Sequence, residues 1–321
     1  MRVVAVTGGT GFVGSRLVRR HVAAGDKVRV LTRRSAGTAG LPDAVSLCQG
    51  DLTEGGPALK AFVDCADVLY HCAAELRDES RMHAVHVHGT RNLMAAAEQR
   101  IGRLVQLSSV GVYGRTPGGL VTEDSPLRPE GAYETTKVEA ERVVREAAAR
   151  GAVKASILRP SKVFGPEMRP WDLYQLIAVV DRGWFFFVGE AGATANYAHV
   201  DNVVEGLLCC ATRPQAEGGT YNLSDWRPLE EFVAVIAAEL GCRTPAIRIP
   251  ETAARWLAGL LKPVPGFPLT ESRITGLVNR TIYVNARIER ELGYVHPVTM
   301  EEGLRQMVKA WREQSGRGAK G

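Results

Sequence analysis

The chain reads as an α/β fold, a doubly wound parallel sheet followed by a smaller C-terminal lobe, and three observations predict it. A short apolar run, Val3-Val4-Ala5-Val6, stops at the glycine-rich turn Gly8-Gly9-Thr10-Gly11-Phe12-Val13-Gly14. Strand-like apolar runs then alternate with helical patterns through the first half of the sequence. Past Pro160 the alternation loosens, broken by Pro166, Pro170, Pro214, Pro228, Pro245 and the cluster Pro263–Pro268. A boundary near residue 160 follows, with residues 1–160 as the main domain and 161–314 as the lobe, whose segments can return to the main sheet. The glycine-punctuated end, residues 315–321, reads as a frayed tail.

Each element has a local reason. Val28–Leu31, Val45–Leu47, Val68–Tyr70, Leu104–Leu107 and Ala155–Leu158 are short runs rich in β-branched and aliphatic residues, which suit strands buried on both faces. Ser15–Ala24, Ala58–Val63, His83–Gln99 and Tyr133–Arg150 carry the helical period between them, and Gly151 stands where a left-handed C-terminal cap belongs. With 321 residues and 45% hydrophobic content, the chain can bury a large core.

Two segments carry chemistry. The glycine turn, set between a strand and a helix, lets backbone N–H groups approach a pyrophosphate because no Cβ intervenes. It satisfies the dinucleotide spacing through Gly9, Gly11 and Gly14 and a second form through Gly8, Gly11 and Gly14, so Gly8, Gly11, Phe12, Val13 and Gly14 are expected against a cofactor. In Tyr133-Glu134-Thr135-Thr136-Lys137, a phenol and an ammonium stand four residues apart on one helix face. Together they suggest hydride chemistry on an alcohol or ketone, with Tyr133 as acid/base and Lys137 as the cation that lowers its pKa.

The end of the second strand normally carries the carboxylate that selects NAD, about 20 residues past the glycines. Here Thr32-Arg33-Arg34 stands instead, so NADP(H) is favoured and NAD(H) remains open. Asp51 and Leu52 are candidates to flank the adenine, Asp51 having the alternative of capping its own turn. Ala73 and Ala74 offer small side chains where the chain passes the cofactor.

Composition narrows the classes further. A formal charge of +5 without a basic, aromatic-interleaved stripe gives no ground for nucleic acid. The six cysteines form no disulfide framework, and neither a signal peptide nor a membrane span is legible, so a cytoplasmic setting is expected. His83, His86 and His88 lack carboxylate or cysteine partners at ligand spacing, and no metal is expected.

These segments, with Gly50-Asp51-Leu52, His71-Cys72-Ala73-Ala74, Gly89-Thr90-Arg91-Asn92, Ser108-Ser109-Val110-Gly111-Val112-Tyr113-Gly114, Leu158-Arg159-Pro160, Gly165-Pro166, His199-Val200-Asp201-Asn202 and Glu291-Leu292-Gly293-Tyr294, resemble the extended short-chain dehydrogenase/reductase family of NAD-dependent epimerase/dehydratase type. The likeness spans nearly the whole chain and inclines to the 3β-hydroxysteroid dehydrogenase and dihydroflavonol reductase branch. It implies a Rossmann-type sheet with a C-terminal substrate-binding lobe, a catalytic Ser109 beside Tyr133 and Lys137, cofactor contact at Pro160, and a homodimer through the helix that bears Tyr133.

The departures from the family bear on substrate. His86 replaces an asparagine that supports the active-site lysine, either as a relay or as a core histidine bonded to backbone, the latter expected here. Lys162 replaces a second asparagine, and Ala195 an arginine that grips a diphosphate in sugar-nucleotide enzymes. Val110 and Gly111 fill the acidic pair of the dehydratases. Trp171, Tyr197 and the run Trp184–Val188 bring aromatic surface to the lobe. The leading expectation is therefore an oxidoreductase for a secondary alcohol or ketone of a fairly apolar small molecule. A nucleotide-sugar epimerase with tightly bound NAD and a non-catalytic nucleotide sensor are the alternatives.

Overall fold

The computed structural model describes residues 1–33, 40–116, 118–168, 172–261 and 270–316. Seven parallel strands form its central sheet: β1 (Val3–Thr7), β2 (Lys27–Thr32), β3 (Ser46–Gln49), β4 (Ala66–His71), β5 (Ile101–Leu107), β7 (Ala155–Pro160) and β11 (Thr220–Leu223). Their order is β11-β7-β5-β4-β1-β2-β3. β1 therefore has β2 on one side and β4 on the other, with Val6 beside both Val30 and Tyr70. The order reverses at that strand, which opens a crevice beyond the carboxyl ends of β1 and β4. Smaller sheets join β6 (Gly119–Val121) to β14 (Thr281–Tyr283), β9 (Phe187–Val188) to β13 (Arg248–Ile249), and β10 (Thr194–His199) to both β8 (Lys162–Phe164) and β12 (Asp225–Pro228).

Helices cover both sheet faces, as near-continuous apolar strands require. On one face α1 (Phe12–Ala23), α7 (Val200–Thr212) and α11 (Ala286–Leu292) pack Leu17, Val203, Leu207 and Ile288 against Val4, Val30 and Val105. On the other, α2 (Pro57–Val63), α4 (Gly89–Ala97) and α5 (Ala132–Ala149) pack Phe62, Leu93 and Val144 against Ala5, Leu69 and Leu104. A third core belongs to the lobe, where α6 (Asp172–Asp181), α8 (Leu229–Leu240) and α12 (Met300–Gln314) enclose Ile177, Phe187, Phe232, Leu304 and Trp311. The lobe also carries α9 (Glu251–Leu261) and α10 (Glu271–Leu277).

The strand expectations hold to within a few residues. The helix expected over His83–Gln99 is instead α3 (Glu79–His83), a single π-helical turn at Ala84–His88, and α4. A π turn widens the backbone and is common beside functional sites. This one carries His86, whose side chain is engaged on both ring nitrogens as described below. Helix α1 begins three residues before the expected Ser15, because Phe12, Val13 and Gly14 form its first turn.

Candidate active site

The glycine turn forms a cradle that side chains would close. Gly8 has φ +69°, and a Cβ there would lie 2.6 Å from the Ala73 amide nitrogen. A Cβ on Gly14 would meet the Gly8 carbonyl oxygen at 2.2 Å. The Gly11 N–H donates to that carbonyl at 2.9 Å, and the first bond inside α1 runs from Ser15 N–H to Gly11 C=O at 2.8 Å. Gly11 caps the helix without a side chain, so the N–H groups of Phe12, Val13 and Gly14 have no partner within the helix. A cradle a Cβ would fill, with three donors at a helix N-terminus, fits the pyrophosphate of a nicotinamide dinucleotide.

Around the crevice, Arg33 is exposed at the end of β2, while Arg34 lies outside the described residues. The Arg33 charge helps hold the Asp51 carboxyl below its ordinary range, although burial acts the other way and is the larger influence on it. Asp51 accepts from the Thr53 N–H and hydroxyl, each at 2.9 Å, and so closes its own turn. Leu52 is buried, and its carbonyl accepts from the Asn92 amide at 2.8 Å. The Ala73 N–H donates to Thr7 Oγ1 at 3.3 Å, Ala74 is exposed, and Pro160 ends β7 beside Leu223.

At the carboxyl end of β5, Ser109 Oγ accepts from the Gly111 N–H at 3.1 Å and caps the short turn Val110–Tyr113. Its hydroxyl hydrogen-bonds the Tyr133 phenol, from the first turn of α5. Burial first and the Glu134 carboxylate second push that phenol up to about 12, against the lowering by the Ser109 hydrogen bond. The expected lowering by Lys137 is corrected by this geometry: the ammonium turns to the sheet and donates to the Leu107 carbonyl at 2.6 Å. Lys137 is itself lowered to about 8, burial outweighing the Glu141 carboxylate that raises it. At neutral pH the pair is therefore a protonated phenol and an ammonium, the state suited to giving a proton away.

Two buried networks fix these groups. In the first, the Thr90 hydroxyl donates to the His86 carbonyl, so it accepts from His71 Nε2–H at 2.9 Å. Neutral His71 then accepts at Nδ1 from the Thr7 hydroxyl at 2.8 Å. His86 Nε2 accepts from the Glu75 N–H at 2.9 Å, which leaves Nδ1–H to donate to Thr136 Oγ1 at 2.7 Å. The Thr136 hydroxyl donates in turn to the Ala132 carbonyl at 2.7 Å or that of Tyr133 at 3.0 Å. Each ring proton has one place, and both imidazoles are neutral: burial lowers His71 to about 3 and His86 to about 4. His86 bonds backbone as well as Thr136, and its ring meets that of Tyr133 edge-on at 5.7 Å. His83 faces away, toward Glu139 at 3.3 Å.

In the second network Arg159 grips Glu141 bidentately at 2.9 and 2.6 Å, and the Ser108 hydroxyl donates to Glu141 Oε1 at 2.6 Å. Arg159 also donates to the Tyr113 hydroxyl at 2.7 Å, which donates to Asn222 Oδ1 at 2.8 Å. The end of β5, next to Ser109, is thus tied to the helix of Tyr133 and Lys137. Sequence reasoning assigned no role to Glu141, Thr136, Thr90 or Arg159; the last three stand inside the family-like segments, and for Glu141 the local signal was its four-residue spacing from Lys137.

Ser109 also lines a cavity of about 650 Å³ shared between sheet and lobe. Lys162 and Tyr197 line the same cavity with Leu176, Val179, Phe185, Phe186, Phe232 and Leu277, so three expected substrate contacts meet there. Trp171 falls outside the described residues. The aromatic run divides, Phe185 and Phe187 entering the lobe core while Trp184 is exposed along the cavity. Asn196 and Tyr283, which local pattern did not single out as cavity contacts, line it too. Another cavity, about 680 Å³ beside β9 and β13, is lined by neither Ser109 nor the glycine cradle. Its Arg248 is already spent on Glu230 at 2.6 Å.

A family model described as the NAD dependent epimerase/dehydratase family matches residues 4–224. Over 315 residues the chain is 30% identical to the 4-hydroxy-2-methyl-3-oxo-4-farnesyl-3,4-dihydroquinoline-1-oxide ketoreductase of Stigmatella aurantiaca, with 93% of each chain covered. It is 28% identical over 327 residues to a 3 beta-hydroxysteroid dehydrogenase/Delta 5-->4-isomerase of Mycobacterium tuberculosis, covering 94% of this chain and 88% of that one. Among solved structures, MoeE5 in complex with UDP-glucose and NAD has a TM-score of 0.73 at 26% identity, covering 98% and 99% of the two chains.

Proposed function

This chain belongs to the NAD-dependent epimerase/dehydratase family of extended short-chain dehydrogenases/reductases, and from that premise we propose that it is an NADP(H)-preferring oxidoreductase for a secondary alcohol or ketone of a fairly apolar small molecule. The observation that carries the reading is Ser109 on the wall of a largely apolar cavity, hydrogen-bonded to a phenol whose proton burial retains. The ketoreductase and hydroxysteroid dehydrogenase names of its relatives support the same class.

A nicotinamide dinucleotide held in the glycine cradle would supply the hydride. Gly8, Gly11, Phe12, Val13 and Gly14 would hold its pyrophosphate, with Arg33 turned to a 2′-phosphate. Ser109 orients the substrate oxygen by a hydrogen bond. Tyr133 gives its proton to that oxygen as negative charge develops there, and the Ser109 hydrogen bond makes the resulting phenolate less costly, while Lys137 is anchored on the Leu107 carbonyl. The His86 and Glu141 networks keep the three groups in register. A dimer through α5 is part of the same proposal.

Replacing Tyr133 by Phe is expected to lower kcat for NADPH-dependent ketone reduction about 10²- to 10⁴-fold while leaving nucleotide binding intact. Unchanged turnover would remove Tyr133 from the reaction. Fluorescence titration should give tighter binding of NADPH than of NADH; the reverse order would sink the Arg33 argument. The epimerase alternative requires stoichiometric NAD released on denaturation, which mass spectrometry would detect.

A further inference from the structure

The cavity that Ser109 opens into is unevenly charged. Its wall carries two cations, Lys162 and Arg273, and no aspartate or glutamate among the described residues that line it. Lys162 lies on β8 directly beside Tyr197 of β10, and its ammonium rests 5.9 Å from the centre of the Tyr197 ring. That ring is clamped, stacked on Phe232 at 4.8 Å and met edge-on by Phe164 at 5.9 Å. The ammonium of this exposed residue thus stands over a fixed aromatic face of the cavity wall, at the outer range of a cation–π contact. Among the described residues Lys162 forms no ion pair.

We propose that the substrate carries an anionic group besides its apolar body, and that Lys162 is the residue that recognises it. The proposal rests on the oxidoreductase reading above for which end of the molecule reacts. A neutral apolar ligand filling the cavity would strip water from the ammonium and return nothing. An anionic one restores the lost interaction, and the apolar wall strengthens it by lowering the local dielectric. Lysine offers a point charge rather than a planar fork, so the site selects for negative charge near one end of an apolar molecule, not for a bidentate diphosphate. Ala195, a buried residue on the same wall, adds no donor for a second phosphate. The substrate class is then an apolar oxo- or hydroxy-acid.

The probes are aryl alkyl ketones that end in a carboxylate at several tether lengths, each paired with its methyl ester. For at least one length, the wild-type enzyme should prefer the acid about tenfold in kcat/KM, the size expected of one hydrogen bond to a charged group. That preference should shrink as ionic strength rises. In Lys162→Met the acid-to-ester ratio should fall to near one, while Lys162→Arg should keep it. Acids and esters turned over equally by the wild type at every length, or a preference that survives Lys162→Met, would overturn the proposal. Calorimetric binding of acid and ester to the NADPH-loaded protein reads the same ratio without turnover. If neither member of any pair is reduced, the oxidoreductase reading fails on its own, and the binding ratio still decides the role of Lys162.

Discussion

His86 departs from the family pattern, yet its chemistry here is fully determined. It accepts from one backbone N–H and donates to one threonine hydroxyl, which leaves neither ring nitrogen free to relay a proton. Removing it as His86→Ala would strand a buried N–H and loosen the Thr136 turn that carries Tyr133. The expected cost is about 1–3 kcal/mol by urea denaturation, with a fall in kcat larger than any change in KM. Lys137 makes a different prediction, because burial lowers its pKa to about 8. Below that value the folded chain bears the full cost of a buried ammonium. As pH rises from about 8 toward the ordinary lysine value of about 10.4, the unfolded chain binds more protons than the folded one, so stability increases. Lys137→Met removes this dependence. The difference in unfolding free energy between wild type and variant should move by about 2 kcal/mol between pH 7 and pH 10. A difference that stays constant would mean that Lys137 is not desolvated.

At the scale of elements, the central device is the tie between β5 and α5. Ser109 comes from one and Tyr133 and Lys137 from the other, and the Ser108–Glu141–Arg159 cluster sets their spacing. A buried pair broken from one side leaves an uncompensated charge. Glu141→Gln should therefore destabilise the protein by about 3 kcal/mol and lower kcat, whereas Glu141→Asp should recover part of both. Wild-type stability in Glu141→Gln would show that the cluster holds nothing. This tie also explains what the sequence could reveal. Gly8 to Gly14 and Tyr133 to Lys137 were legible because their chemistry depends on spacing within one turn. Glu141 and Arg159, or His71 and Thr90, meet only after strands and helices are assembled, and no local period records that. The same holds for the cavity, where Lys162 and Tyr197 were legible by likeness to the family but Asn196 and Tyr283 were not. The expected single helix over His83–Gln99 failed for a related reason: helical backbone angles continue into and out of the π turn, and what distinguishes it is the i→i+5 backbone bond from the Gly89 N–H to the Ala84 carbonyl, which no local pattern records.

For the whole molecule, the neutral imidazoles of His86 and His71 contribute to a response to acid, alongside His21, His199 and His296, which burial also lowers. The first two have folded pKa values below the ordinary 6.5, His86 at about 4 and His71 at about 3. Below pH 6.5 the unfolded chain takes up protons that the folded chain refuses, so stability is lost as pH falls from about 6.5 toward about 4. Each site contributes up to about 1.4 kcal/mol per pH unit in that window. His86→Gln should flatten the slope by about that amount, measured as urea midpoints between pH 7 and pH 5. An unchanged slope would place the acid response elsewhere. The architecture joins this network to function, since it runs from Thr7 at the nucleotide cradle through His71 and Thr90 to the turn that presents Tyr133.

The central claim, hydride transfer completed by a proton from Tyr133, is tested most directly with NADPH deuterated at the transferred position. Purified protein would be incubated with this nucleotide and a panel of apolar ketones, and the alcohols examined by mass spectrometry. One deuterium on the carbinol carbon, lost in Tyr133→Phe, is the result expected. Unlabelled ketones recovered intact, together with stoichiometric NAD released from the denatured protein, would contradict the account and turn the site toward epimerisation.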